Sequence, residues 1–423
     1  MEDGVAMSLS ERIFDRVIGN AVHLGVFEVV HADGTVARFG TPTAGFPDIR
    51  VRFADNKVAR DILRDPGLGA GETFMDGRLI IEQGDIMGLI TLLSANSPWD
   101  HGRAIAPPGV KHRVANTLGA AYEAVNRQAS ARRNISHHYD IGNDLYRLML
   151  DTEYMQYSCG YWPSTDITLE QAQVAKLAHI AAKLKLEPGN QVLDIGCGWG
   201  GMAIFLAQHA DVTVTGITLS KEQLALAREN AEKAGVSDRV SFELIDYRDM
   251  AARGDRFDRI VSVGMFEHVG VPQFETFFRA CATLLKVEGV MLLHTIGRLG
   301  GPGKTDAFTR KYIFPGGYIP ALSETLERSE KVRLIASDIE TLRLHYAWTL
   351  RAWYDRCVAH RETIEAAYGA PFFRMWTFYL AGATAAFESG GMCNYQIQYI
   401  RDRHALPVTR DYLSGEEARL TAE

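Results

Sequence analysis

The segment Val192-Leu193-Asp194-Ile195 runs directly into Gly196-Cys197-Gly198-Trp199-Gly200-Gly201, and helical apolar spacing begins at Met202. A buried strand that turns through so much glycine into a helix presents bare backbone at a helix N-terminus, where a ligand can approach closely. The pattern then repeats. Val212 to Thr218 reads as a strand, Lys221 to Ala234 as a helix closed by Gly235, and Val240 to Ile245, Arg259 to Val263 and Val290 to Thr295 as further strands. Ahead of the glycine turn, Leu169 to Leu186 has helical spacing that Glu187-Pro188-Gly189-Asn190 stops. Strands alternating with helices predict parallel βαβ units in a doubly wound α/β sheet, with ligands at the carboxyl ends of the strands.

This pattern leaves much of the 423-residue chain for other units. From Ser8 to about Asn96 the segments are short and mixed. Ser10 is expected to cap a helix through Val17, Asp48–Phe53 to form a strand, and Asp65-Pro66-Gly67-Leu68-Gly69-Ala70-Gly71 to form a loop, because glycine destabilises helices. Pro98, Pro107 and Pro108 mark a linker. Basic residues gather after it at Lys111, His112, Arg113, Arg127, Arg132 and Arg133, either as a solvated helix face or as a surface for anionic phosphate. Apolar residues make up 47% and charged residues 23%, which excludes a disordered or collagenous chain. With 45 basic against 52 acidic residues the net charge is -7, which argues against a nucleic-acid partner. The apolar run Ile86 to Leu93 is too short to span a bilayer, and the N-terminus lacks a signal-peptide pattern. Cysteines at 159, 197, 281, 357 and 393 form no CxxC pair and suit a reducing cytoplasm.

The turn can be read as GxGxxG through Gly196, Gly198 and Gly201. A dinucleotide site then wants an acid at the end of the second strand, yet that strand ends Thr215-Gly216-Ile217-Thr218. The acid, Asp194, precedes the glycines instead, which favours S-adenosylmethionine over NAD. Ser220 and Gln223 fit a helix capping box, so Thr218 and Gln223 read equally as capping structure or as cofactor contacts. Asp246-Tyr247-Arg248-Asp249 follows the third strand, where a carboxylate and a ring can hold an adenine. Glu267 follows the fourth strand and His294 ends the fifth, so both should project over the sheet near the glycine turn. Two strand-end ligands, with His137-His138 adjacent in sequence, fall short of a metal set, and no metal is expected.

Five motifs stand in order: Tyr157-Ser158-Cys159-Gly160-Tyr161-Trp162, the GCGWGG turn, FDRIVSVGMFEHVG from Phe257, His294-Thr295-Ile296-Gly297, and His345-Tyr346-Ala347-Trp348-Thr349-Leu350. Together they resemble the cyclopropane-fatty-acyl-phospholipid synthase family over roughly residues 132–403. Gly67 to Arg78 is also similar to that family's N-terminal domain. The resemblance implies methyl transfer from S-adenosylmethionine to a cis double bond of a phospholipid acyl chain, followed by proton loss from the new methyl to close a cyclopropane ring. It implies a bicarbonate ion as the base, held by backbone groups of Cys159 and Ile296 and by the side chains of Glu267, His294 and Tyr346. Cofactor contacts fall on Tyr157, Ser158, Gly196, Gly198, Gly200, Thr218, Gln223, Tyr247 and Arg248, beside Asp194 and Asp246 from the reading above. Rings at Tyr157, Tyr161, Trp162 or Phe266 can stabilise the cation, although core packing is the better account of Trp162 and Phe266.

The expected architecture is a Rossmann-like class I methyltransferase domain with a smaller N-terminal α+β domain and a helical linker. The boundaries are 1–108 for the N-terminal domain (a lipid, membrane or dimer contact), 109–150 for the linker, and 151–423 for the catalytic domain with an acyl tunnel. The resemblance further implies a homodimer that is cytoplasmic and peripherally associated with the inner membrane surface. The loop Gly300 to Pro320, with Lys304, Arg310 and Lys311, is expected to border the lipid entrance. The alternatives are a fatty-acyl C-methyltransferase giving a methyl-branched or methylene product, a lipid-binding protein without turnover, and, last, an NAD-dependent oxidoreductase.

Overall fold

The structure is a computed structural model that describes residues 7–101 and 142–421, which divide into two units. The basic cluster at 111–133, His137-His138 and most of the 109–150 segment lie outside the described residues.

In the first unit, four strands, β1 (Gly25–Val30), β2 (Val36–Thr41), β3 (Asp48–Phe53) and β4 (Leu79–Gln83), pair in the order β2-β1-β3-β4. The leading helix, Leu9–Ala21, is capped by Ser8 rather than Ser10. Ser8 and Glu11 form the reciprocal capping box, and this starts the helix ahead of Ser10. The expected loop 65–71 is instead part of a helix, Pro66–Met75, with Asp65 accepting from the Leu68 amide and Pro66 in the first turn. Glycine is tolerated there because its neighbours leave no room for a side chain. A Cβ on Gly69 would lie 2.1 Å from the Asp61 carbonyl oxygen, and one on Gly71 would lie 2.4 Å from the Phe308 ring. Close packing outweighs the helix propensity that predicted a loop.

Two later segments, Asp306–Ile313 and Leu350–Gly391, group with this unit, so it does not end near residue 108 as the sequence boundary had it. The reason is apolar packing: the long helix Ala370–Glu388 lies against the helices Ile86–Ala95 and Pro66–Met75. The linear sequence gives no hint of this return.

The second unit is built on β5 (Gln191–Ile195), β6 (Thr213–Thr218), β7 (Val240–Leu244), β8 (Phe257–Val263), β9 (Leu285–Arg298), β10 (Ile335–Leu342) and β11 (Met392–Ile400). Their order is β10-β11-β9-β8-β5-β6-β7. The five strands read from the sequence are parallel, while β11 runs antiparallel to both β9 and β10. This is the expected doubly wound, mostly parallel α/β sheet. Successive strands are added on opposite sides of β5, with β6 and β7 on one side and β8 and β9 on the other, so the carboxyl ends of β5, β6 and β8 open a crevice at the switch point. The helix Leu169–Leu184 is buried along nearly its whole length, including Lys176, His179 and Lys183. Among the described residues, no helix is long and apolar enough to cross a membrane.

Candidate active site

The crevice at the end of β5 is a cavity lined by Asp194, Gly196, Gly198, Thr218, Gln223, Asp246, Tyr247 and Arg248, with Tyr157 and Ser158 on its near wall. Gly196 and Gly198 adopt φ of +83° and +53°, which L side chains rarely adopt. A Cβ on Gly198 would meet nothing within 4 Å. The turn therefore exposes bare backbone at the mouth of the helix Gly201–His209. Gly200, also expected at the cofactor, is not on the cavity wall. It is the N-cap residue of that helix, and a Cβ there would lie 2.7 Å from the Phe242 ring.

Ser220 caps the next helix through the Gln223 amide at 3.2 Å, but the reciprocal half of a capping box is absent. The Ser220 amide donates to Thr218 Oγ1 at 3.1 Å, and the Thr218 hydroxyl donates to Gln223 Oε1 at 3.0 Å. Capping thus accounts for the Gln223 backbone and leaves its side chain on the cavity wall. At the end of β7, Arg248 grips Asp246 through Nε and Nη2 at 2.7 and 2.8 Å and lies over the Tyr247 ring, 5.1 Å from its centroid.

Asp194 is 2% exposed, and its Oδ2 has no hydrogen-bond partner among the described residues. Burial raises its carboxyl to about 7. Lys176 also lies fully buried nearby. Its ammonium donates to Gln156 Oε1 and, at 3.1 Å, to Ser158 Oγ, and burial lowers it to about 7. Lys176, Gln156 and His268 are additions to the expected site residues, and the last two line the cavity. The available signal was a lysine on the apolar face of the helix Leu169–Leu184, a position costly to fill with a charge unless it is used.

A second cluster lies outside that cavity's lining. The 3₁₀ turn Phe266–His268 after β8 carries Glu267, whose Oε1 accepts from the Ile296 amide at 2.6 Å while Oε2 is buried with no partner among the described residues. Burial raises this carboxyl to about 7. His294 on β9 is fully buried and is held down to about 3 by burial, then by the nearby Lys176 and Lys183 charges. The Gly264 amide donates to the His294 carbonyl at 3.0 Å, which ties the end of β8 to the same strand. The Ile296 amide thus ties Glu267 to β9, two residues along the strand from His294.

Cys159 is fully buried, with its thiol donating to the Gly160 carbonyl and pushed well up by burial. Tyr346 is buried at the start of the helix His345–Ala359. The flanks of these two residues are joined: the Gly160 amide and Trp162 Nε1 both donate to Thr349 Oγ1, at 3.0 and 2.9 Å, and the Trp162 amide donates to His345 Nδ1 at 2.9 Å. Of the rings considered for a cation, Phe266 is core, stacked on Phe274 at 4.2 Å, and Tyr161 is stacked on His179 at 4.1 Å. Tyr157 remains on the cavity wall. Among the described residues, no group of three or more His, Cys, Asp or Glu is placed to hold a metal ion.

The chain matches the family model described as mycolic acid cyclopropane synthetase over residues 126–397. It is 39% identical to the cyclopropane-fatty-acyl-phospholipid synthase of Escherichia coli over 373 residues, 88% of this chain and 92% of that one. It is 31% identical to the tuberculostearic acid methyltransferase UfaA1 of Mycobacterium tuberculosis over 417 residues, 94% and 93% of the two chains. Among solved structures, it is similar to the mycolic acid cyclopropane synthase CmaA1 in complex with SAH and CTAB, with a TM-score of 0.60, 30% identity, and coverage of 65% of this chain and 99% of that one. The glycine turn, the strand order and the paired Glu267 and Ile296 occur in a chain that belongs to the cyclopropane synthetase family, a methyltransferase of the class I fold.

Proposed function

We propose that the chain transfers a methylene from S-adenosylmethionine across the cis double bond of unsaturated phospholipid acyl chains, forming a cyclopropane ring. The observation that carries this reading is Glu267, a buried carboxylate with one oxygen on the Ile296 amide of β9 and the other without a partner among the described residues. When bound, S-adenosylmethionine supplies an electrophilic methyl and leaves as the neutral sulfide. Its sulfonium and ammonium charges suit the unpartnered Asp194 Oδ2, and the open space at Gly198 allows its close approach. The alkene π pair forms the bond to the methyl carbon, the sulfur–carbon bond breaks, and the positive charge passes to the other alkene carbon. Loss of a methyl proton then releases the C–H pair to close the ring.

A bound bicarbonate ion would supply the base for that proton. The residues present fit it: Glu267 Oε2 is an acceptor in need of a donor, as the ion's hydroxyl would be, and His294 can donate to an oxygen. By the family resemblance, Tyr346 and the Cys159 backbone would complete the proposed cradle. The Ile296 amide would have to be shared with Glu267, on which it now bonds. Because a methyl next to a carbocation is very acidic, a weak base suffices once it is positioned and shielded from water.

The wider reading places the protein as a cytoplasmic homodimer, peripheral to the inner membrane surface. Its headgroup contacts are less cationic than the sequence suggested, since Lys311 bonds Glu72 at 2.5 Å. Lys304 is exposed and carries more of that role. A second reading, fatty-acyl methylation without ring closure, draws support from the likeness to a tuberculostearic acid methyltransferase over 94% of the chain. Mass spectrometry and NMR separate the two. Purified protein with cis-monounsaturated phospholipid vesicles, methyl-labelled S-adenosylmethionine and bicarbonate should give a labelled lipid heavier by one CH2, with a cyclopropane NMR signature. The same mass gain with a methylene or branched-alkene signature puts the second reading first, and no mass gain removes both.

A further inference from the structure

His294 sits in a row that crosses three strands. Glu340 on β10 pairs with Gln396 on β11, and Gln396 pairs with His294 on β9, so the three side chains stand on one face of the sheet. The helix Leu169–Leu184 lays His179 and Lys183 against that row. Lys183 is fully buried and donates to Glu340 Oε2 and, at 2.8 Å, to Gln396 Oε1. His179 bridges Glu340 Oε2 at 2.6 Å and Glu417 Oε1 at 2.7 Å, so both its ring nitrogens donate. Two cations and two carboxylates thus compensate one another beneath the candidate site, with the Gln396 amide as their contact with His294.

An ammonium has only protons to offer, so it fixes which end of the Gln396 amide is carbonyl. The amide's NH2 end then lies 3.2 Å from His294 Nδ1. A donor aimed at Nδ1 requires Nδ1 to be the unprotonated, accepting nitrogen, which leaves the ring proton on Nε2. The surroundings of Nε2 agree. Asn394 lies 3.4 Å from it, and Asn394 Oδ1 is buried with no partner among the described residues. Turning that amide over would present an oxygen rather than a donor to Nε2, and at 3.4 Å the contact is too long to hold the Nε2 proton away from an anion.

We propose that Lys183 and Gln396 are positioning residues that hold His294 as the Nε2–H tautomer, so that it meets an anion in the site as a hydrogen-bond donor and never as a competing base. This rests on the reading of His294 as a donor to the bound anion, but the tautomer can be measured on the ligand-free protein, apart from any turnover. If Nδ1 carried the proton, Nε2 would present a lone pair to the anion and repel it.

The test is nitrogen NMR of protein labelled with 15N-histidine, with the His294 signals assigned by their loss in His294→Gln. In the unaltered protein, Nδ1 should appear unprotonated and Nε2 protonated. In Gln396→Glu the partner of Nδ1 becomes an acceptor, so the proton should move to Nδ1. Lipid cyclopropanation should then fall by roughly tenfold or more in kcat, the scale of a lost hydrogen bond to a charged group, with KM for S-adenosylmethionine little changed. Lys183→Met frees the amide to turn and should give a mixture of tautomers. A Nδ1–H tautomer in the unaltered protein would overturn the proposal without any variant, as would an unchanged tautomer in Gln396→Glu. The expected tautomer in a protein that makes no cyclopropane would instead leave the positioning standing and remove the proposed reaction.

Discussion

The amide of Ile296 donates to Glu267 Oε1 at 2.6 Å, joining the turn after β8 to the end of β9 and leaving Oε2 of the same carboxylate buried without a partner among the described residues. One oxygen is committed to the fold, and the other is open to the role proposed for it. That division makes the residue separable by mutation.

Glu267→Gln keeps the shape and an oxygen for the Ile296 amide but removes the negative charge. Cyclopropane formation should fall by about 10²-fold or more, the usual scale for a lost proton-handling group. Affinity for S-adenosylhomocysteine, measured by calorimetry, should change little, because Glu267 is not on the wall of the cofactor cavity. Equal loss of both would mark the residue as structural.

The pH dependence has a defined sign. Burial raises Glu267 and Asp194 to about 7, from ordinary values of 4.5 and 3.8. The folded protein therefore holds protons that the unfolded chain releases, so these groups favour the fold fully below the ordinary values, and that contribution is lost as pH rises to about 7. Turnover runs the other way, since Glu267 must be ionised to accept from a hydroxyl. At fixed bicarbonate concentration, product formation should rise with pH through about 7. Chemical denaturation across the same range should show stability falling, by less in Glu267→Gln.

Gly198→Ala and Gly69→Ala should fail in different ways. At Gly198, φ is +53° and the space ahead is open, so a methyl group adds a strain of about 1 kcal/mol and stands where the cofactor would lie. Cofactor affinity should drop with little loss of folded protein. At Gly69, the methyl meets a backbone carbonyl at 2.1 Å, which cannot yield without moving a helix. That variant should lose about 1–3 kcal/mol of stability, read by denaturant titration.

Lys176→Met removes the ammonium that holds Gln156 and Ser158 at the cavity wall and leaves Asp194 without its nearest positive charge. Hydrogen bonds to charged groups are worth about 1.5–3 kcal/mol. Binding of S-adenosylhomocysteine should weaken by roughly tenfold or more on that scale, although Lys176 is not itself on the cavity wall. Unchanged affinity would show that the wall does not depend on it.

The local signals were legible wherever one strand, one turn or one cap decides the outcome. The five parallel strands, the glycine turn, Asp194 ahead of it and Glu267 after β8 follow from apolar runs and turn residues that act over a few positions, whereas His294, expected to end its strand, lies within β9, which runs on to Arg298, level with the end of β8. The helix Pro66–Met75 did not follow, because its glycines are set by Asp61 and Phe308, the second of them far along the chain. The return of Leu350–Gly391 to the first unit was likewise invisible, since an apolar helix face does not state which partner will bury it.

The same limit separates the site residues. The sequence alone determined which acid, histidine and glycines would stand at the carboxyl edge of the sheet, because strand periodicity and turn chemistry are local. Only the tertiary structure decided that Lys176 would bond Gln156 and Ser158 at the cavity wall and that Lys183, Glu340 and Gln396 would meet beside His294. Those partners come from a helix and two further strands, and their contact depends on the β9–β11–β10 register and on the burial of the helix Leu169–Leu184. Register and burial come from long-range packing, which no short stretch of sequence encodes.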